Sequence, residues 1–357
     1  MIRILVINPG STSTKIAVYE NEEQLWMENI PHDTDELARY PGINEQLPMR
    51  QRLLAQSLAA HAMTARSFDA VAARGGLLCP LEAGAYLVNE PMLHMLREHP
   101  RDQHASNLAA PLAYAVAEEA GIPAYIYDGV TVDEMIPLTK ITGLKEILRR
   151  GQGHNLNMRA AAMQYARQSG KPFDSLDMIV VHLGGGISVS VISRGKIIDM
   201  ISDNEGPFAP ERSGGLPCDQ LIDLMAREGL DRAKMAKKLK RSGGLVSHFG
   251  TSDCRKVEQM AENGDERAAL VYEAMALNVA KSVAGMAATV FGRVDGIVLT
   301  GGIAHSARLT RMIRERTEFI APVAILPGEN EMCALALGIL RVRRGEEEAR
   351  IFTEPTP

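Results

Sequence analysis

The chain has 357 residues, 46 % of them hydrophobic and only 4 % aromatic, with a formal charge of −5 and a pI near 6.0. That length exceeds one typical core, so two domains filled by aliphatic residues, Ala and Met are expected, and the acidic balance argues against nucleic-acid binding as the main activity. Cys79, Cys218, Cys254 and Cys333 are scattered, with no CxxC and no His at zinc spacing, which speaks for reduced thiols in a cytoplasmic protein rather than a disulfide framework or a metal site. No signal-peptide pattern precedes the first strand, and the apolar run 178–181 is far too short to span a membrane.

Residues 2–19, IRILVINPGSTSTKIAVY, predict strand, tight turn and strand. Gly10 frees the turn, and the amides and hydroxyls after it can face an anion that Lys15 neutralises; an ordinary hydroxyl-rich hairpin has the same composition. A third strand is predicted over 24–30 and a helix over 49–65. The strand 68–73 runs into Arg74-Gly75-Gly76, where an arginine over bare backbone can reach a ligand or can sit at a surface turn. Residues 80–107 read as loop and short helix, followed by a helix over 108–120 capped by Ser106 or Asn107 and stopped by Gly121. The strand 123–128 ends in Asp128, a position suited to an α/β site and equally to a cap or turn.

A short helix falls within 137–153. His154 directly precedes the helix 155–168, where the dipole disfavours an imidazolium; a capping or packing role is the alternative. Residues 178–192, MIVVHLGGGISVSVI, again predict strand, glycine turn and strand. VVHLGGGISVSVISRGKIIDM repeats the order of LVINPGSTSTKIAVYENEEQL: apolar strand, turn glycine, hydroxyls, β-branched strand, polar turn, third strand. Two such turns facing across a cleft could grip one polyphosphate. The loop 203–218 carries Arg212. Helices are predicted over 219–227, over the basic and solvated 232–241, after a cap at Ser252 or Asp253, and over 266–291. The strand 296–300 runs into Thr300-Gly301-Gly302-Ile303 and a helix over 306–316, a route for bringing backbone against a nucleotide. A strand over 321–326, a loop with Glu329 and Glu331, a helix over 332–344 and an acidic tail complete the chain.

Neither GxxxxGK[ST] nor a strand-leading GxGxxG is present. VINPGSTSTK, HLGGGIS, ERSGG and LTGGI, in that order, resemble the signatures of the acetokinase family, within the acetate and sugar kinase, Hsp70 and actin superfamily. The resemblance runs over essentially the whole length and is greatest to the butyrate kinase, or branched-chain carboxylic acid kinase, branch. It implies an α/β fold of two duplicated ribonuclease H-like (actin-like ATPase) domains with a cleft between them. These would be residues 1–150, with 332–357 packing back on them, and a nucleotide-binding domain over 151–331.

By the same resemblance, Asn8, Ser11, Ser13 and Lys15 fall on a phosphate and metal hairpin, and Gly184, Gly185, Gly186, Gly301 and Gly302 on the ATP-binding turns. Asp128 falls on a catalytic aspartate, His154 on a histidine that contacts the transferring phosphoryl group, and Arg212 on the substrate and transition-state arginine. Glu331, with Asp128 and Asn8, would hold Mg2+. The chain departs from acetate kinases in two places. Gly185 stands where they have Asn, and Val71 where they have Arg, so the second arginine is assigned to Arg74. The implied reaction is reversible, direct in-line transfer from ATP to butyrate or a branched acid such as isobutyrate, in a homodimer or higher homo-oligomer with no nucleic-acid or membrane partner. Acetate or propionate kinase is one alternative. A non-catalytic actin-like nucleotide-binding regulatory module is the other, and it would need the phosphate turns but neither Arg212 nor His154.

Overall fold

The structure, a computed structural model, describes residues 1–100 and 102–354; the last residues of the acidic tail, 355–357, expected to pack back on the first domain, lie outside the described residues. The chain divides into two compact units, Met1–Asp133 with the chain from Asn330 onward, and Glu134–Glu329. In the first unit β1 (Arg3–Pro9), β2 (Ser13–Glu20) and β3 (Glu23–Pro31) form an antiparallel meander. Then come β4 (Ala70–Ala73), β5 (Ala85–Leu87) and β6 (Ala124–Tyr127). β4 lies parallel to β1, β6 parallel to β4, and β5 antiparallel on the outer side of β6. The second unit repeats the plan. A meander of β7 (Asp177–Leu183), β8 (Ile187–Ser193) and β9 (Lys196–Ile201) is extended by the parallel strands β10 (Gly296–Gly301) and β11 (Val323–Pro327). The chain then returns to the first unit, where β12 (Arg350–Ile351) pairs with β5.

The order β3-β2-β1-β4-β6 in one sheet and β9-β8-β7-β10-β11 in the other are the same topology. Both third strands also carry an extra residue at the same place, Leu25 of β3 opposite the Val18–Tyr19 step and Ile198 of β9 opposite the Val191–Ile192 step. An extra residue at one matching point is a feature that unrelated hairpins do not share, so the repeat seen in the sequence is a structural duplication. The central residues of β1 and β7, 4–7 and 178–181, are all apolar because both of their faces are covered. In the first unit Leu5, Ile7, Ile16 and Val18 face the helices Leu47–Ala60 and Ala109–Ala120, while the helix Glu331–Arg344 packs on β1, β4 and β6. In the second, Ile179, Val181, Val189 and Leu299 face the long helix Glu266–Ala287, and Met178, Val180 and Val298 face the helix Asn155–Ser169. No helix among the described residues is long and apolar enough to cross a membrane.

Several local expectations shift. The helix expected over 49–65 ends at Ala60, because Ala62 adopts φ +56° and Met63 N–H turns back to the Leu58 carbonyl at 2.9 Å. Asn107 caps no helix: its Oδ1 accepts the Leu77 N–H at 2.9 Å, and the preceding turn is capped by His104. The unit boundary falls at 133/134 rather than near 150. Glu134 accepts the Ile197 N–H at 3.0 Å, Ile136 N–H donates to the Ile198 carbonyl at 3.0 Å, and Arg149 pairs with Asp199 at 3.0 Å, so 134–150 is stitched to β9. Glu331 opens the helix that returns to the first unit, and so belongs there.

That returning helix meets the sheet through Gly338, where an added Cβ would lie 2.7 Å from three atoms of the Tyr127 ring. Alanine is the better helix former by about 1 kcal/mol, yet a clash with a packed ring costs about 1–3 kcal/mol or more. Gly338→Ala is therefore expected to lower the thermal midpoint; a raised midpoint would show that the helix does not approach the sheet this closely.

Candidate functional site

In the first unit, strand register brings one group together. Asn8 and Lys15 are direct cross-strand partners, and side chains two residues apart share a face, so Asn8, Ser13 and Lys15 lie on the same side of the hairpin. On that side Glu331 accepts a hydrogen bond from Asn8 Nδ2 through Oε2 at 2.9 Å and pairs with Arg74 Nη2 through Oε1 at 3.0 Å. Arg74 directly follows β4 and is mostly buried, and its Nη1 has no protein partner. Ser11 and Thr12 are exposed at the turn. Asp128, at the end of β6, is 1 % exposed with φ +42°, and its Oδ1 accepts the Gly84 N–H at 2.7 Å. A left-handed aspartate at a strand end is tolerable but strained, a cost that clusters at functional positions.

The opposite side of the hairpin faces the helix Leu47–Ala60 and carries a residue to which the sequence reading gave no role. Arg50 is 1 % exposed and donates to the turn from beneath. Thr14 Oγ1 accepts from Arg50 Nη1 at 3.1 Å and shares a hydrogen bond with His32 Nε2 at 2.8 Å. Burial first, then the Arg50 charge, push the His32 pKa down to about 4.

In the second unit a cavity of about 690 Å³ is lined by Gly185 and Gly302, by Pro210 and Glu211 from the Arg212 loop, and by Asp253 and Glu258. Two of the glycine turns therefore meet in one cavity, as do the loop and the start of the helix Cys254–Glu262. The glycines divide by cause. An added Cβ would strike His182 at Gly184, Asp203 at Gly186 and the Leu183 backbone at Gly301, which also has φ +92°. Gly185 and Gly302 are exposed, and a Cβ there would meet nothing closer than 3.9 Å. The first three are packing glycines; the other two leave backbone bare toward the cavity. Cys254 also lines it, and burial pushes its thiol up to about 12, which leaves it inert.

Arg212 is held by three groups: Asp203 Oδ2 accepts from Nε at 2.9 Å, Glu211 Oε2 lies 3.6 Å from Nη1, and the Lys240 carbonyl accepts from Nη1. Ser213 N–H donates to the Leu239 carbonyl at 3.0 Å. The C-terminal end of the basic helix Arg232–Arg241 thus anchors the loop with its free carbonyls. Asp203 touches both Gly186 and Arg212, so it joins the second glycine turn to the arginine. His154 stacks on His182 with ring centroids 3.8 Å apart, and its Nδ1 lies 3.2 Å from Ser188 Oγ. His182 is in turn held by Asn157 at 3.0 Å and Glu329 at 3.3 Å. The geometry groups Asn8, Lys15, Arg74 and Glu331 in one unit, and Gly185, Gly302 and the Arg212 loop in the other. Arg50, Asp203, His182 and Asn157 are supporting residues that the sequence reading did not assign. The one available signal was for Arg50, which shares the four-residue spacing of Gln46, Leu54 and Leu58 on the buried helix face.

A family model described as the acetokinase family matches residues 137–324, more than half of the chain. The chain belongs to the acetokinase family. Its members are phosphotransferases that use ATP and a carboxyl acceptor. The fold is also that of solved members. An acetate kinase from Porphyromonas gingivalis has a TM-score of 0.80 at 20 % identity, over 95 % of this chain and 99 % of that one. A propionate kinase from Francisella tularensis gives 0.73 at 19 % identity, with 95 % and 99 % covered, and an acetate kinase from Entamoeba histolytica 0.73 at 16 %, with 94 % and 98 % covered. The two repeated sheets are thus the duplicated actin-like ATPase domains of the acetokinase fold.

The buried His32 gives this acetokinase a measurable acid sensitivity. Its folded pKa lies below the ordinary histidine value, so the unfolded chain takes up the proton first. Stability is fully present above about pH 6.5 and is lost as pH falls toward 4, by about 1 kcal/mol per pH unit. In urea titrations at pH 6 and pH 5, wild type is expected to lose about 1 kcal/mol more than His32→Gln over that step; equal losses would show that His32 is not buried neutral.

Proposed function

We propose that the protein phosphorylates a short-chain carboxylate, butyrate or a branched acid such as isobutyrate, with MgATP, giving acyl phosphate and ADP reversibly. The observation that carries the reading is a single cavity lined by both bare glycines, Gly185 and Gly302, and by the loop that bears Arg212. A nucleotide sensor needs the glycine turns alone; an arginine loop on the same cavity suits an enzyme that also handles a second anion. The four-carbon preference is supported by the departures at Gly185 and Arg74, which are of the butyrate kinase kind. The two- and three-carbon acids of acetate and propionate kinases are the alternative, favoured by the named relatives.

The chemistry asks little of the protein in proton transfer. A fatty acid has a pKa of about 4–5, close to Glu, and is ionised at neutral pH, so no general base is needed. The barrier is the approach of an anionic oxygen to an anionic phosphate. A carboxylate oxygen bonds to the γ-phosphorus while the bond to the β,γ-bridging oxygen breaks, and ADP leaves with that electron pair. Arg212 pairs with the carboxylate and spreads the charge of the equatorial oxygens, with its Nε already fixed on Asp203. His154, braced against His182, hydrogen-bonds the transferring group. Asn8, Ser11, Ser13 and Lys15 meet phosphate oxygens, and Arg74 serves as the second arginine.

Magnesium enters as part of the substrate. Among the described residues no cluster of three or more His, Cys, Asp or Glu would hold an ion unaided. Glu331 beside Asn8 offers one carboxylate, which fits an ion that keeps phosphate oxygens and waters as its other ligands, with Asp128 as a further acidic group. When bound, the ion neutralises phosphate charge.

Trapping of acyl phosphate as the hydroxamate, over acids of two to six carbons and branched isomers, tests the substrate. The largest kcat/KM is expected for butyrate or isobutyrate; a maximum at acetate would assign the protein to the alternative. Arg212→Ala is expected to lower kcat about 10³-fold with ATP binding retained. A near-normal kcat would contradict the mechanism.

A further inference from the structure

Arg50 is a cation buried without a counter-ion. Its Nη1 donates to the Gly10 carbonyl at 2.9 Å and to Thr14 Oγ1 at 3.1 Å, with a longer contact of 3.4 Å to the Ser13 carbonyl. Its Nη2 donates to Gln46 Oε1 at 2.9 Å and lies 3.4 Å from the Ser11 carbonyl. All of these acceptors are neutral, and no carboxylate pairs with Arg50 among the described residues. Buried arginines are ordinarily paired, because an isolated charge is expensive to remove from water. Here the guanidinium gathers acceptors of Gly10, Ser11, Ser13 and Thr14 onto one planar fork and leaves its charge unanswered.

The backbone consequence is directional. In a trans peptide the carbonyl and the following N–H point opposite ways. Drawing the Gly10 and Ser11 carbonyls inward onto Arg50 aims the N–H groups of Ser11 and Thr12 outward. Neither donates to a protein group among the described residues. Two outward amides in a tight turn make an anion nest. The exposed Ser11 and Lys15 stand beside it, and the guanidinium charge lies directly behind.

We propose that Arg50 is a positioning residue of the hairpin: it turns the Ser11 and Thr12 amides outward and supplies a fixed buried charge that an anionic phosphoryl group bound outside the turn completes. This rests on the reading of the hairpin as a phosphate site. Arg50 touches no substrate in this arrangement, and it acts through the turn it holds.

The test compares wild type, Arg50→Gln and Arg50→Lys by thermal midpoint with and without inorganic phosphate, and by KM for ATP, KM for the acid and kcat. Phosphate is expected to raise the wild-type midpoint. Arg50→Gln is expected to lose that rise and to raise the ATP KM about tenfold or more, with the acid KM within about twofold; Arg50→Lys, which keeps the charge, recovers part of both. If both variants unfold, Gln46→Ala loosens the same guanidinium and is expected to raise the ATP KM about threefold. Variants that keep the phosphate-induced rise and the ATP KM, whatever their midpoint, overturn the role of Arg50 and leave the hairpin reading standing. A wild type that phosphate does not stabilise overturns both.

Discussion

An antiparallel pair that closes through a tight turn leaves the turn's amides outside the ladder, and both halves of this chain preserve that condition. In the first, Gly10 N–H bonds back to the Ser13 carbonyl at 2.8 Å, and the carbonyls between are drawn beneath the sheet by Arg50. In the second, Gly184 N–H closes on the Gly186 carbonyl at 3.2 Å, and Gly185 is left bare. The same five-strand order and the same bulge in each third strand hold the turns at equivalent places. Backbone available to an anion is thus a product of topology, and the flanking side chains adapt it.

The adaptation differs between the copies. Around the first turn the supporting charges are cations, Arg50 beneath and Arg74 beyond β4, balanced only in part by Glu331. Around the second the support is acidic. Asp203 packs on Gly186 and holds the Nε of Arg212, and Glu211 follows on the same loop. A surface ion pair contributes little to stability, but a half-buried one that fixes a guanidinium sets which of its hydrogens remain available. That suits a reaction in which two anions must meet and no proton needs to move.

The meander strands were legible because their β-branched runs are long and bounded by turn chemistry. The helices Ala109–Ala120 and Arg232–Arg241 were legible from their stop glycine and their uninterrupted pattern. β5 and β12 were not, since AYL and RI are too short to show a period and owe their pairing to each other and to β6. The glycine turns and the Arg212 loop could be picked out by residue type. The residues that hold them could not. Asp203 sits in an irregular loop with no period to read, and His182 is one position in the otherwise apolar buried run 178–183. Arg50 reads as a solvated helical arginine until its register with Leu54 and Leu58 is noticed, because local sequence does not say which helix face the sheet will cover. The unit boundary at 133/134 depends on pairing with β9, some sixty residues away, and carries no local mark.

On the proposed reading, in which the acceptor is already ionised and arginines answer the charge, a covalent phosphoenzyme is not needed. The stereochemistry of transfer from ATP chiral at the γ-phosphorus measures this directly. One in-line displacement inverts the configuration, and inversion in the acyl phosphate is the result expected here. Net retention would require two displacements through a phosphorylated residue and would contradict direct transfer.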